Sequence, residues 1–165
     1  MSPRRKREET GPERKFLVII DGTAECDRAV YYASRRAART AGKLVMLAVV
    51  PVAESNQQWL GVGELMRAEG REDAEKRLDQ YAARARHLAG IDPECVVREG
   101  QKAEEIQKLI EGDKAIAVLV LAAGTSKEGP GPLVSSLAGA SAGHFPIPIT
   151  LVPGHLTDAQ LDALS

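Results

Sequence analysis

The chain has 165 residues, 44% apolar and 27% charged, with a formal net charge of −1. That length suits one domain with a proper core rather than two, and the composition is ordinary for a globular protein. The charge is uneven: residues 1–15 hold six basic side chains against three glutamates, +3, which leaves a mildly acidic −4 for the rest and argues against nucleic-acid binding as the main activity.

The opening SPRRKREETGPERK, with Arg4, Arg5, Lys6, Arg7 and Arg14, has no apolar partners and reads as a disordered basic tail over residues 1–14. Phe16 to Ile20 is a short apolar run, the first strand, too short for the apolar region of a secretory signal. Asp21-Gly22-Thr23 turns the chain, with Thr23 as the expected N-cap of a helix that reaches about Thr40. Ala29, Val30, Ala33, Ala37 and Ala38 share a stripe of that helix, and Gly42 stands as its C-cap glycine. Leu44 to Val50 is the second strand, ended by Pro51; Val52 to Gly63, with Trp59, reads as a surface connection. The longest helix runs from Glu64 to Leu88, with Ala74, Leu78, Tyr81, Ala85 and Leu88 as its apolar stripe and Gly70 as an expected interruption. Cys95 to Arg98 makes a third strand and Ala103 to Glu111 a third helix.

Val118 to Leu121 is an unbroken apolar run flanked by alanines, as in a strand buried on both faces of a parallel sheet. It ends in Gly124 and the loop TSKEGPGP, after which Leu133 to Ala142 reads as a helix. Pro148 to Val152 is the fifth strand, and Thr157 caps a short tail helix to Leu164. Apolar strands alternating with amphipathic helices specify an α/β fold: an open, five-stranded, mostly parallel sheet with helices on both faces. A binding crevice is expected where the strand order reverses, at the carboxyl ends of the first and fourth strands. Those ends carry Asp21 and Gly124. No segment approaches the roughly 20 apolar residues of a membrane span. Two cysteines, Cys26 and Cys95, without a C-x-x-C, fit reduced thiols, so a cytoplasmic protein is expected.

Residues 15–153 resemble the universal stress protein family, whose fold is a five-stranded Rossmann-like α/β sheet. The marks are VIIDGTAECDRAV, LVMLAVVPV, VLVLAAG with the glycine loop, and PIPITLV. Residues 154–165 lie beyond the resemblance as a C-terminal tail. The resemblance implies a homodimer formed through the last strand, a role in stress response, and ATP or AMP as ligand, with Mg²⁺ as the accompanying ion. It places Asp21 at the adenine or ribose end and Val49 near the base. Nucleotide-binding members spell the loop G-x2-G-x9-G-[S/T], and Gly124 matches the first glycine. Lys127 stands at the second glycine, with Gly129 and Gly131 following, and the family spacing then lands on Leu137-Ala138. The nearest hydroxyl pair is Ser135-Ser136, two residues early; Gly139, two residues late, is the other register. The candidate nucleotide contacts are therefore Asp21, Val49, Gly124, Thr125, Lys127, Gly129, Gly131, Ser135 and Ser136.

No catalytic constellation accompanies them. His87, His144 and His155 have no Asp, Ser or Cys at a spacing that implies a triad or a metal site. The expected function is thus regulatory binding rather than catalysis. Two readings stand: a dimeric module that binds an adenine nucleotide through a variant loop, and a dimer that has lost nucleotide and acts through protein partners.

Overall fold

Strands β1 (Lys15–Ile19), β2 (Lys43–Val50), β3 (Glu94–Glu99), β4 (Ile116–Ala123) and β5 (Ile149–Pro153) form one sheet ordered β3-β2-β1-β4-β5, with every neighbouring pair parallel. The computed structural model describes residues 13–52 and 62–165; the basic tail over residues 1–12 and Trp59 fall outside them. The apolar runs read from the sequence occupy the three central strands. Val18 on β1 pairs with Met46 on β2 and Val120 on β4, and all three are fully buried.

Alternation along each central strand serves two cores. Val18, Met46 and Val120 pack under α1 (Cys26–Arg39) and α2 (Val62–Ala89), with Ala33, Leu78 and Ala85. Leu17, Leu47 and Leu119 pack on the other face, under α3 (Lys102–Gly112) and α4 (Pro132–Leu137), with Ile106 and Leu137. Burial on both faces is why these strands are continuously apolar rather than alternating. The edge strand β3 carries the exposed Glu94, Arg98 and Glu99.

Four local expectations are corrected. Thr23 does not cap α1; its N–H and hydroxyl both donate to Asp21 Oδ1, at 3.0 and 2.5 Å, and Glu25 occupies the N-cap position. An aspartate folding back on the amide two residues ahead competes with capping and wins here. Gly42 is not the left-handed residue after α1. Ala41 is, at φ 54°, with Ala41 N–H reaching Ala38 O and Gly42 N–H reaching Ala37 O, a Schellman ending shifted by one residue. Gly42 is small for another reason: a Cβ there would stand 2.9 Å from the Arg14 carbonyl. Gly70 does not interrupt α2, which runs unbroken over 28 residues; it lets the helix close on β2, where a Cβ would meet Val50 Cγ1 at 2.9 Å. Finally, the helix expected over Leu133–Ala142 is only the six-residue α4, followed by one 3₁₀ turn at Ala142–His144.

The chain ends in α5 (Asp158–Leu164), opened by a capping box between Thr157 and Gln160. Leu161 is fully buried in the α1–α2 core. A charged cluster locks the helix in place. The Tyr31 hydroxyl donates to Asp162 Oδ1 at 2.8 Å, and Arg28 pairs with Asp158 at 2.9 Å. Arg28, Arg35 and Arg84 stand 5.4 to 5.8 Å from the Tyr31 ring centroid, in cation–π range. Asp27 receives both Arg28 and Arg84. Burial works to raise its pKa, yet the two guanidiniums prevail and hold its carboxyl below the usual range.

Candidate functional site

Because β1 and β4 are neighbours and their connections leave in opposite directions, their carboxyl ends open a crevice at the point where strand order reverses. Two cavities lie there. The larger, about 230 Å³, is lined by Ile20, Asp21, Val49, Asp73, Arg77 and Lys102, among others. The smaller, about 100 Å³, runs from Asp21 and Glu25 along Leu121 to Gly131 and Val134. Asp21 and Lys102 line both, so the cavities meet at those two residues. Each is below the roughly 300–1,000 Å³ of a pocket that encloses a drug-sized ligand. A nucleotide needs both.

The local chain explains how each group is held. Asp21 comes after β1 with only Ile20 between, and its Oδ1 is fixed by the two Thr23 hydrogen bonds, which leaves Oδ2 as the oxygen neither bond uses. Val49 is the partly exposed residue near the end of β2, between the buried Ala48 and Val50. Arg77 comes from α2 and lies over the turn after β1, where a Cβ on Gly22 would stand 3.0 Å from its Nη2. Lys102 is the first residue of α3.

The loop after β4 is folded on itself. Gly124 N–H donates to the Pro130 carbonyl at 2.9 Å, and Gly129 N–H to the Ser126 carbonyl at 3.1 Å. Gly129 and Gly131 have φ of 104° and 110°, conformations open to glycine and strained for other residues. A Cβ on Gly124 would stand 3.0 Å from Glu25 Oε1, and one on Gly154 would stand 3.0 Å from Glu25 Cβ. The Glu25 side chain is therefore wedged between those two glycines, with its carboxylate at the loop.

Of the nine residues singled out in the sequence, the structure gathers Asp21, Val49 and Gly131 around the crevice. Gly124 and Gly129 shape the loop without lining either cavity. Thr125 and Lys127 are exposed on the loop, and Ser135 and Ser136 are exposed on α4; none of the four lines a cavity. Arg77, Lys102 and Glu25, which also line the crevice, are not among the nine. For Lys102 there was a usable signal, since the loops after all parallel strands open on the same edge of the sheet.

Among the described residues no group of three His, Cys, Asp or Glu side chains is placed to hold a metal ion. No described helix is long and apolar enough to cross a membrane. Cys26 faces inward beside the smaller cavity, its Sγ 3.6 Å from the Ile19 carbonyl, and burial pushes its thiol up to about 11. A thiol so raised is a poor nucleophile near neutrality.

The fold recurs among solved structures at low identity. The universal stress protein UspA from Lactobacillus plantarum superposes with a TM-score of 0.71 at 19% identity, over 86% of this chain and 99% of that one. A universal stress protein in complex with cAMP gives 0.60 at 18%, over 86% and 98%. A family member from Arabidopsis thaliana with AMP bound gives 0.59 at 14%, over 85% and 91%. No curated protein matches the sequence itself. The model of the universal stress protein family matches residues 13–153, which span β1 to β5. With the parallel sheet, its strand order and that match taken together, the chain belongs to the universal stress protein family.

Proposed function

We propose that the chain is a regulatory module that binds an adenine nucleotide in the crevice at the ends of β1 and β4. The observation that carries this is the meeting of two cavities at Asp21, one with Val49 on its wall and one bounded by the glycine loop. Asp21 Oδ2 accepts hydrogen bonds from the ribose or base, and Val49 packs on the base. Similar structures crystallised with cAMP and with AMP support the choice of adenine. The module acts by occupancy rather than turnover. His87, His144 and His155 all lie away from the cavity walls.

It works as a homodimer through β5. That strand is an edge of the sheet, and its Leu151 is 42% exposed, an apolar side chain on a strand whose outer backbone is open to pairing. Light scattering after size exclusion is expected to give twice the chain mass, and Leu151→Lys is expected to give the monomer.

The binding test is a melting-temperature shift with millimolar AMP or ATP, for the parent and for Asp21→Ala. A ligand at 100 times its dissociation constant stabilises by about 2.7 kcal/mol. For a chain of this size that corresponds to roughly 5–11 °C. A parent that shifts and a variant that does not support the reading. A parent that shifts with neither nucleotide overturns it and leaves a dimer that acts through protein contacts.

A further inference from the structure

In the loop after β4, two of the amide groups that could close on a chain of phosphates are already engaged. Gly124 N–H is given to Pro130 and Gly129 N–H to Ser126. At the N-cap of α1 the Glu25 carboxylate stands against Gly124 and lines the smaller cavity, whereas the loop's own Lys127 is exposed and lines neither cavity. That cavity is only about 100 Å³, and Ile19, Leu121, Pro130 and Val134 make much of its wall apolar. Lys102 sits where the two cavities meet, and Arg77 lines the larger one. Lys102 thus stands beside Asp21 at the junction, while Arg77 shares the larger cavity with Asp73. Beyond that junction, on the loop side, stands the Glu25 carboxylate.

We infer that Glu25 and Lys102 set the phosphate number, so that this site takes an adenosine monophosphate, open or cyclic, and rejects the triphosphate. The inference rests on the adenine-nucleotide reading of the same crevice. Lys102 Nζ meets the single phosphate. Each further phosphoryl group adds negative charge next to the Glu25 carboxylate and finds no free Gly124 or Gly129 amide to offset it. Like charges a few ångströms apart in a partly enclosed site repel strongly enough to set the order of affinities.

Titration calorimetry on the full chain tests this with adenosine, AMP, cAMP and ATP, the last in EDTA and again with excess Mg²⁺. AMP or cAMP is expected to bind at least about tenfold more tightly than ATP under both conditions. Glu25→Gln is expected to narrow the AMP-to-ATP gap by raising ATP affinity, and Lys102→Met to weaken AMP while leaving adenosine unchanged. ATP binding as tightly as AMP, with or without Mg²⁺, overturns the inference and leaves the adenine reading intact. Adenosine binding as tightly as AMP removes the role given to Lys102 and overturns it too. A chain that binds none of the four overturns both. The parent protein alone decides between these outcomes, so the result does not depend on either variant folding.

Discussion

Gly131→Ala isolates what the glycine loop contributes. Gly131 has φ 110° and ψ 155°, a region essentially restricted to glycine, and it forms the N-cap of α4. A Cβ added there meets nothing within 4 Å, so the substitution introduces no clash and its cost is backbone strain alone. Strain of that kind costs about 1–3 kcal/mol. For a chain of this length it lowers the melting temperature by roughly 2–12 °C. Gly124→Ala is the matched control. Gly124 is not among the positive-φ glycines, and its new methyl would stand 3.0 Å from Glu25 Oε1, the far end of a side chain that needs to give by only a few tenths of an ångström, and in ordinary contact with the Pro130 carbonyl at 3.6 Å. Its cost is expected within about 0.5 kcal/mol, as for an ordinary surface change. Urea denaturation of the parent and both variants, followed by circular dichroism, measures the two values. The reasoning is refuted if Gly131→Ala is as stable as the parent, or if Gly124→Ala is the costlier of the two.

Three further outcomes are expected. Leu161→Ala removes a fully buried side chain that pins α5 to the core and is expected to cost about 2–5 kcal/mol by denaturant melts, whereas a cost below about 1 would mean α5 is not docked. Asp27 and Asp113 both have lowered carboxyl pKa values, Asp113 chiefly through its hydrogen bond from Lys15. A depressed folded pKa contributes stability that is present above the unfolded value, about 3.9, and is lost as pH falls through the folded one. Melting temperature is therefore expected to drop below about pH 4, and to drop less steeply in Asp27→Asn. The two thiols should separate by access: burial pushes both thiols up, but in native protein near pH 8 Ellman's reagent is expected to titrate the exposed Cys95 first and the buried Cys26 only after denaturation. Two fast thiols would contradict the placement of Cys26.

The fold was legible because its signals are local. Strands such as Leu44 to Val50 and Val118 to Leu121, buried on both faces, must be apolar throughout, and that shows in any window of the sequence. The carboxyl ends of β1 and β4 were paired correctly because parallel topology forces them together. Errors arose where one residue served a tertiary purpose. Gly70 resembled a helix breaker, yet it exists for the approach of α2 to Val50, and Gly42 resembled a helix stop, yet it makes room for the Arg14 carbonyl. The site was only half visible for the same reason. Asp21 comes just after an apolar strand, so its place at the crevice is legible from the chain itself. Arg77, midway along α2, and Glu25, at the start of α1, gain meaning only when the helices are packed. Spacing points to Ser135 and Ser136, but the loop folds back through Pro130 and leaves both exposed on α4.

The central claim is that an adenine nucleotide occupies the hollow shared by Asp21 and Lys102. An amide ¹H–¹⁵N spectrum recorded during titration with AMP addresses it directly. The account predicts saturable shifts concentrated at Asp21, Gly22, Val49 and Lys102, at the carboxyl ends of the strands. A spectrum unchanged at millimolar AMP, or shifts confined to α5 and the outer face of α1, would contradict it.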